Sequence, residues 1–181
     1  MNEQTPFMYT DMSECTFIQW NLDYTIDRVI ETFMAIPDEW LSKRPRHNIP
    51  PPGWTFGHIA VTERVHVVRY LQGVDDIPSA YNIFYPVPPP VVIPTEDELA
   101  KVIKSKDQLI NYWRSVRQQT SAYLQSITDA DLKTIPEKTL HPKGLPNSSN
   151  PIREWFVMTI QHQNYNWGRL EIVRRLITDK D

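Results

Sequence analysis

The sequence predicts an all-α protein, a four-helix bundle with a long crossover between its second and third helices. Three observations lead to this prediction. Apolar residues recur at steps of three and four in four separate stretches, as they do on the buried face of an amphipathic helix. The β-branched cluster at 91–93 sits among prolines, which cannot join a central strand ladder. The sixteen prolines are concentrated between the helical stretches, where they stiffen the connections.

The first two helices are predicted from apolar stripes on either side of a proline-rich segment, 50–53. The stripe of the first helix ends at Pro37 and consists of Ile18, Leu22, Ile26, Val29, Phe33 and Ile36. The stripe of the second helix consists of Trp54, His58, Val61, Val65 and Val68. A polar residue, His58, therefore interrupts the apolar face of the second helix.

The third helix begins at a capping box, because Thr95 can accept a hydrogen bond from the amide of Glu98 while the Glu98 carboxylate accepts from the amide of Thr95. Its stripe consists of Leu99, Ile103, Ile110, Trp113, Leu124 and Ile127. The fourth helix has Asn150 as its N-cap and Pro151 at its first position, and we expect it to run to about Ile177. Its inward stripe consists of Trp155, Thr159, His162, Asn166, Leu170, Val173 and Ile177.

Two connections are longer than is usual in a bundle. They are 73–94, and 133–149 with His141 and Gly144. A crossover as long as 73–94 allows the third helix to run parallel to the second. Because no repeat and no change of composition separates a second domain, we expect residues 1–181 to form one domain.

The composition excludes several functional classes. A net charge of −3 and a pI near 5.9 leave no basic excess for binding the phosphates of nucleic acid. Cys15 is the only cysteine, which excludes an internal disulfide and a cysteine-based zinc site and fits a reducing cytoplasm. The N-terminus has no basic signal region, and no stretch reaches the roughly 18 apolar residues that span a bilayer. We therefore expect a cytoplasmic protein without a nucleic-acid or membrane partner.

The middle of the inward stripe on the fourth helix is polar. His162 and Asn166 are one turn apart, so their side chains emerge on the same face, about 6 Å from each other. An unsatisfied imidazole or amide in an apolar core costs roughly 1–3 kcal/mol, so both side chains need partners, and His58 is the natural candidate. Neutral imidazoles on facing helices commonly hold a divalent ion. Two core histidines bridged by water are the alternative interpretation.

Three segments resemble the DinB-like superfamily. The segment 53–60, GWTFGHIA, is similar to the second-helix signature of this superfamily, in which an aromatic residue lies just ahead of a Gly-His pair. The segment 126–132, SITDADL, resembles the acidic turn that ends its third helix. Residues 153–170 are similar to its last helix, in which two histidines four apart precede a Gly-Gln or Gly-Arg step. The resemblance covers nearly the whole chain.

The resemblance implies an up-down-down-up bundle, usually dimeric, with a three-histidine site for zinc or nickel. By position, His58 and His162 match two of the ligands. Asn166 occupies the third position, and because an amide oxygen is a weaker ligand than imidazole for such metals, the affinity is expected to fall. Families of this kind include thiol-dependent transferases, for bacillithiol or mycothiol among others, and many members with no known reaction.

Two functional hypotheses follow. The first is a metal-dependent hydrolase or thiol-dependent transferase that acts on a small molecule, with the ion at His58, His162 and Asn166. The second is a non-catalytic, metal-poor dimeric bundle that binds a small molecule or a protein partner. The amide at position 166 favours the second hypothesis. Neither hypothesis identifies a general base or a substrate.

Other polar residues are expected to have structural roles. Glu63 lies off the apolar stripe and is expected to be a solvated helix glutamate. His66 lies two helical turns beyond His58, roughly 12 Å away, and is expected to contact solvent or a partner. A charged face on the fourth helix is expected to meet solvent or a subunit interface, and it consists of Arg169, Glu171, Arg174 and Arg175.

Overall fold

The computed structural model describes residues 12–74, 77–85, 92–136 and 149–178. His141, Gly144 and most of the proline-rich run 86–94 lie outside the described residues. The α-helices are α1 (Glu14–Met34), α2 (Pro52–Glu63), α3 (Glu96–Val102), α4 (Lys106–Gln125) and α5 (Ile152–Thr178). Shorter segments are π-helical at Arg64–Leu71 and 3₁₀-helical at Asp38–Trp40, Ser79–Phe84 and Asp131–Lys133. The described residues contain no strand, which confirms the all-α prediction.

Helices α2 and α4 run parallel. Phe56 of α2 packs edge-on against Trp113 of α4, with ring centroids 5.2 Å apart. Further along both helices, the Glu63 carboxylate accepts hydrogen bonds from Arg117. Because the residue numbers rise together, the two helices point the same way. The long connection between them allows this, since a short loop would place the two helices antiparallel.

Helices α1 and α5 run opposite to this pair. As the residue numbers rise along α2 and the turn that follows it, those of the contacting α5 residues fall. As the numbers rise along α1, those of the contacting α4 residues fall as well. The contacting pairs are His58 with His162, His66 with Thr159, Gln19 with Ser121, and Asp23 with Arg117. The order is therefore up-down-down-up, as the resemblance implied.

The core is built from the predicted stripes, and α2 lies at its centre. All six residues of the first stripe, from Ile18 to Ile36, are buried. Eleven of the twelve residues of α2 are buried, because α4, α5 and the 3₁₀ segment Ser79–Phe84 cover it on different sides. None of the helices that the structure describes is long and apolar enough to cross a membrane.

The predicted third helix is two helices, which corrects the sequence-based expectation. The capping box at Thr95 is present, but α3 ends at Val102 and Ile103 is extended. The Ser105 side chain then accepts a hydrogen bond from the amide of Gln108 and starts α4. The Gln108 side chain satisfies both ends of the break, since it accepts from the Lys104 amide and donates to the Val102 carbonyl. The apolar spacing hid this break, because Ile103 and Ile110 are seven residues apart and match a continuous helix.

The end of the second helix also differs from the prediction. From Arg64 the chain winds as a π-helix, which ends near Gly73, whose φ is 71°. Glycine adopts this left-handed conformation without the steric cost of a Cβ. A π-helix turns less per residue than an α-helix, so residues beyond Glu63 occupy other faces than those expected from a step of 3.6.

The acidic turn at 126–132 closes one end of the bundle. The Asp129 carboxylate accepts hydrogen bonds from the amides of Glu14 and Cys15, at 3.0 and 2.9 Å. These amides belong to the first turn of α1, where the helix leaves N–H groups without intrahelical partners. The bonds to the Cys15 and Glu14 amides lower the pKa of Asp129. The carboxylate therefore joins the start of α1 to the turn that follows α4.

Candidate metal centre

The structure brings the three predicted site residues together between α2 and α5. Nε2 of His58 lies 3.0 Å from Nε2 of His162. Nδ2 of Asn166 lies 3.0 Å from the same His162 nitrogen. Only 1% of Asn166 is exposed, and both imidazoles are largely enclosed. The spacing of four residues on α5 places His162 and Asn166 on one face, and α2 presents His58 to that face.

A backbone carbonyl determines the tautomer of His58. Nδ1 of His58 lies 2.9 Å from the carbonyl oxygen of Phe84. A carbonyl only accepts, so Nδ1 carries the hydrogen and donates it. Nε2 of the neutral ring then carries a lone pair, which points at His162. Histidines that bind metals are commonly oriented by such a bond from their other nitrogen.

The contacts of His162 cannot all be favourable with neutral side chains. Asn166 Nδ2 donates to the backbone carbonyl of His162 at 2.9 Å, which identifies this atom as the amide nitrogen. If Nε2 of His162 accepts the second Asn166 hydrogen, two imidazole lone pairs face each other across 3.0 Å. If Nε2 instead carries a hydrogen for His58, it opposes the Asn166 donor. A cation bound by both Nε2 lone pairs would remove the repulsion of the first case, and it would take the place of the second Asn166 hydrogen at His162.

Two buried polar atoms of the site are unsatisfied. His162 Nδ1 and Asn166 Oδ1 have no hydrogen-bond partner among the described residues. A buried acceptor or donor without a partner costs roughly 1–3 kcal/mol, so a ligand that satisfied these atoms would gain that energy. The amide oxygen is an available donor atom for a ligand, and the nearby imidazole lone pairs are two more.

Both imidazoles are neutral at physiological pH. Burial lowers the pKa of His162 to about 3, and the neighbouring His58, His66 and Arg169 contribute in the same direction. Burial also lowers the pKa of His58, against the opposing effect of its bond to Phe84, and Arg169 adds to the lowering. Neutral imidazole is the form that ligates a metal, so protons compete weakly for these nitrogens.

The donor set fits a divalent ion with open positions. Two bonds of roughly 2 Å to imidazole nitrogens, at angles between 90° and 110°, separate the nitrogens by roughly 2.9–3.4 Å, and the observed separation is 3.0 Å. Within the described ranges, no three His, Cys, Asp or Glu side chains are grouped so that they could hold a metal. The site therefore offers two strong nitrogen donors and one amide, one fewer imidazole than the pattern implied by the resemblance.

Gly57 allows Phe84 to reach His58. A Cβ at position 57 would lie 2.6 Å from the Phe84 ring, closer than any real contact. We expect Gly57→Ala to displace Phe84, to destabilise the protein by about 1–3 kcal/mol as overpacked core substitutions do, and to loosen the His58 ring. Thermal unfolding, together with the ¹⁵N chemical shifts of the His58 ring nitrogens, will measure both effects.

Gly168 is the matched control for this substitution. It lies on α5, and a Cβ there would meet no atom within 4 Å. Gly168→Ala should therefore leave the His58 shifts unchanged and stabilise the helix by up to about 1 kcal/mol, from helix propensity alone. Equal effects of the two substitutions would show that the packing of Phe84 on Gly57 does not matter.

The sequence-based expectation for Glu63 was wrong. Its side chain is completely buried and accepts four hydrogen bonds: one from Trp113, two from Arg117 and one from Gln163, at 2.7–2.9 Å. Glu63 lies off the predicted stripe, but α2 is covered on all sides, so its other faces are interior too. The almost unbroken run of apolar and small residues in α2 is the signal for this, since a helix that is apolar all round is buried.

The sequence did not reveal the contacts that His66 makes with α5. The π-helical turn places it against α5, where Nδ1 lies 3.0 Å from the hydroxyl oxygen of Thr159 and the ring packs edge-on against Trp155. The Thr159 hydroxyl donates to the carbonyl of Trp155, so towards His66 it acts as the acceptor. His66 Nδ1 therefore carries a hydrogen, and Nε2 carries the lone pair. Thr159 is one turn before His162, so this third imidazole lies near the histidine pair.

These features define a class of protein, an all-α up-down-down-up bundle whose polar site is formed by side chains of facing helices. Comparison with known proteins makes the assignment specific. The chain belongs to the DinB superfamily, whose sequence model matches residues 21–170. No curated protein matches it in sequence.

A solved structure has the same fold. It is a crystal structure described as the conserved protein of locus from Enterococcus faecalis, and the match covers 93% of this chain and 99% of that one. The TM-score is 0.72 and the sequence identity is 20%. At this identity the likeness shows the fold alone.

Proposed function

We propose that this DinB superfamily protein binds a divalent metal ion such as zinc or nickel, and that it acts on a small molecule as a metal-dependent hydrolase or a thiol-dependent transferase. His58 and His162 would hold the ion through Nε2, and Asn166 would border it. The observation that carries the proposal is the pair of half-buried, neutral imidazoles whose Nε2 atoms face each other at 3.0 Å. The dimer implied by the family resemblance belongs to the same proposal.

Each residue has a separate task in this proposal. A bound ion would act as a Lewis acid and lower the pKa of a water or thiol that approaches it. Phe84 holds His58 in the ligating tautomer through its carbonyl. The partial burial of both rings lowers their pKa and keeps them neutral.

A second candidate function is a non-catalytic bundle that binds a small molecule or a protein partner. The amide at position 166 favours this alternative, because it replaces the third imidazole and donates to a backbone carbonyl instead. The polar core would then be a remnant that serves only packing.

Metal titration separates the two candidates. Protein purified without a metal-affinity tag should contain about one equivalent of metal by elemental analysis, and after chelation it should rebind zinc or nickel in calorimetry. His58→Ala and His162→Ala should each abolish measurable binding, since one imidazole and one amide hold such ions poorly. His47→Ala is the matched control, because His47 is exposed in a loop. Wild-type protein that binds neither metal would contradict the proposal and leave the non-catalytic bundle.

A further inference from the structure

One cation on α5 differs from its charged neighbours. The Arg174 guanidinium pairs with Glu171 at 3.1 Å, and Glu171 also accepts a hydrogen bond from Thr32. No carboxylate of the described residues forms an ion pair with Arg169. Instead the Arg169 guanidinium lies over the Tyr165 ring, 5.5 Å from its centroid. The positive charge of Arg169 is therefore not neutralised by a neighbouring side chain in this part of the protein.

Arg169 lies on the side of α5 that carries the histidine site. It follows Asn166 by three residues and His162 by seven, so all three share one face of the helix. Burial is the main cause of the lowered pKa of His58 and of His162, and the charge of Arg169 contributes in the same direction at both rings. The guanidinium thus acts electrostatically on both proposed ligands, although it touches neither.

A cavity of about 140 Å³ adjoins this guanidinium. It is lined by Asn48, Ile49, Arg169 and Ile172. The two residues from the loop, Asn48 and Ile49, lie just before α2, which carries His58 in its second turn. The cavity has room for several water molecules, each of which occupies roughly 30 Å³, or for one small anionic group. Its lining contains one cation, one amide and no acid.

We propose that Arg169 and Asn48 form an oxyanion subsite on the face of α5 that carries His162, and that it binds the carboxylate or phosphate group of an anionic small-molecule substrate. A planar guanidinium can bind either group with two parallel hydrogen bonds, and stacking on Tyr165 limits its motion before binding. The protein as a whole carries a net charge of −3, so a local cation is needed for anions to be selected here. The role of the subsite in substrate binding rests on the function proposed above.

Sulfate and acetate are suitable probes, because one is tetrahedral like phosphate and the other is a carboxylate. In metal-free protein, titration with each should produce saturable NMR shifts at the Asn48 and Ile49 amides and at Arg169 Nε. Arg169→Gln should weaken binding roughly tenfold or more, since it removes a charge-assisted pair of hydrogen bonds, whereas Arg169→Lys should keep part of the affinity. Arg175→Gln is the control, because Arg175 is exposed on the same helix. The melting temperature will show that the variants are folded.

The outcomes distinguish this proposal from the metal site. Wild-type protein without saturable shifts, or equal affinities for wild type and Arg169→Gln, would overturn the subsite even if zinc binds normally. Zinc binding by Arg169→Gln should be retained, because Arg169 is not a proposed ligand. If sulfate binds through Arg169 but zinc binds neither to the wild-type protein nor to any variant, the metal proposal is wrong. The subsite then belongs to the non-catalytic bundle. The stronger of the two probes will identify the preferred oxyanion.

Discussion

Asn166→His is expected to tighten zinc or nickel binding by roughly a hundredfold. Loss of a residue that only hydrogen-bonds to a metal ligand already costs up to about a hundredfold in metal affinity, and an added imidazole should contribute at least as much. The amide at position 166 already lies 3.0 Å from the His162 nitrogen that faces His58. An imidazole there can reach an ion shared by the other two rings, which completes a three-histidine set with an open position. At a fixed excess of metal, a hundredfold tighter site stabilises the folded protein by about 2.7 kcal/mol more.

Metal titrations in calorimetry, paired with melting curves with and without metal, will measure both effects. Two controls isolate the added ligand. Asn166→Ala removes the amide without adding a donor, so lower affinity in this variant would show that Asn166 itself ligates. Asn164→His places a new imidazole on the same helix at an exposed position, where it should leave the affinity unchanged. If Asn166→His binds no more tightly than the wild type, the three side chains do not share one ion.

Removal of the Glu63 carboxylate is expected to cost about 3–5 kcal/mol of folding free energy, because it leaves the buried Arg117 charge without its main partner. Glu63 is fully buried and joins three helices, through Trp113 and Arg117 of α4 and Gln163 of α5. For a domain of this size, Glu63→Ala should lower the melting temperature by roughly 6–20 °C. Urea unfolding of the metal-free protein will give the free energy directly.

A double-mutant cycle tests whether the charge pair is the cause. Arg117→Met removes the cation, and the variant with both Glu63→Leu and Arg117→Met should be less destabilised than the sum of Glu63→Leu alone and Arg117→Met alone, because no unpaired charge remains. Arg117 also lies 3.8 Å from Asp23, so that carboxylate will remain beside the site in every variant. If Glu63→Ala lowers the free energy of unfolding by less than about 1 kcal/mol, the buried carboxylate contributes no more to stability than a surface glutamate does, and the prediction is wrong.

The sequence alone predicted which residues share a helix face. Apolar steps of three and four identified the buried side of α1 and the inward side of α5, and so placed His162 beside Asn166 and His58 on an interior face. These inferences succeed because the period of an α-helix is a local property of the backbone. The capping box at Thr95 was predicted for the same reason, since all of its hydrogen bonds join residues within one turn.

Only the tertiary structure decided what lies against each face. The burial of Glu63 depends on α4 and α5 covering α2 from two sides, and the position of His66 depends on a π-helical turn that shifts the period. The hydrogen bond from Thr32 of α1 to the Glu171 carboxylate of α5 likewise depends on how these two helices pack. Local spacing sets the direction in which a side chain leaves its helix. The partners that it meets come from distant parts of the chain and depend on how the whole bundle packs.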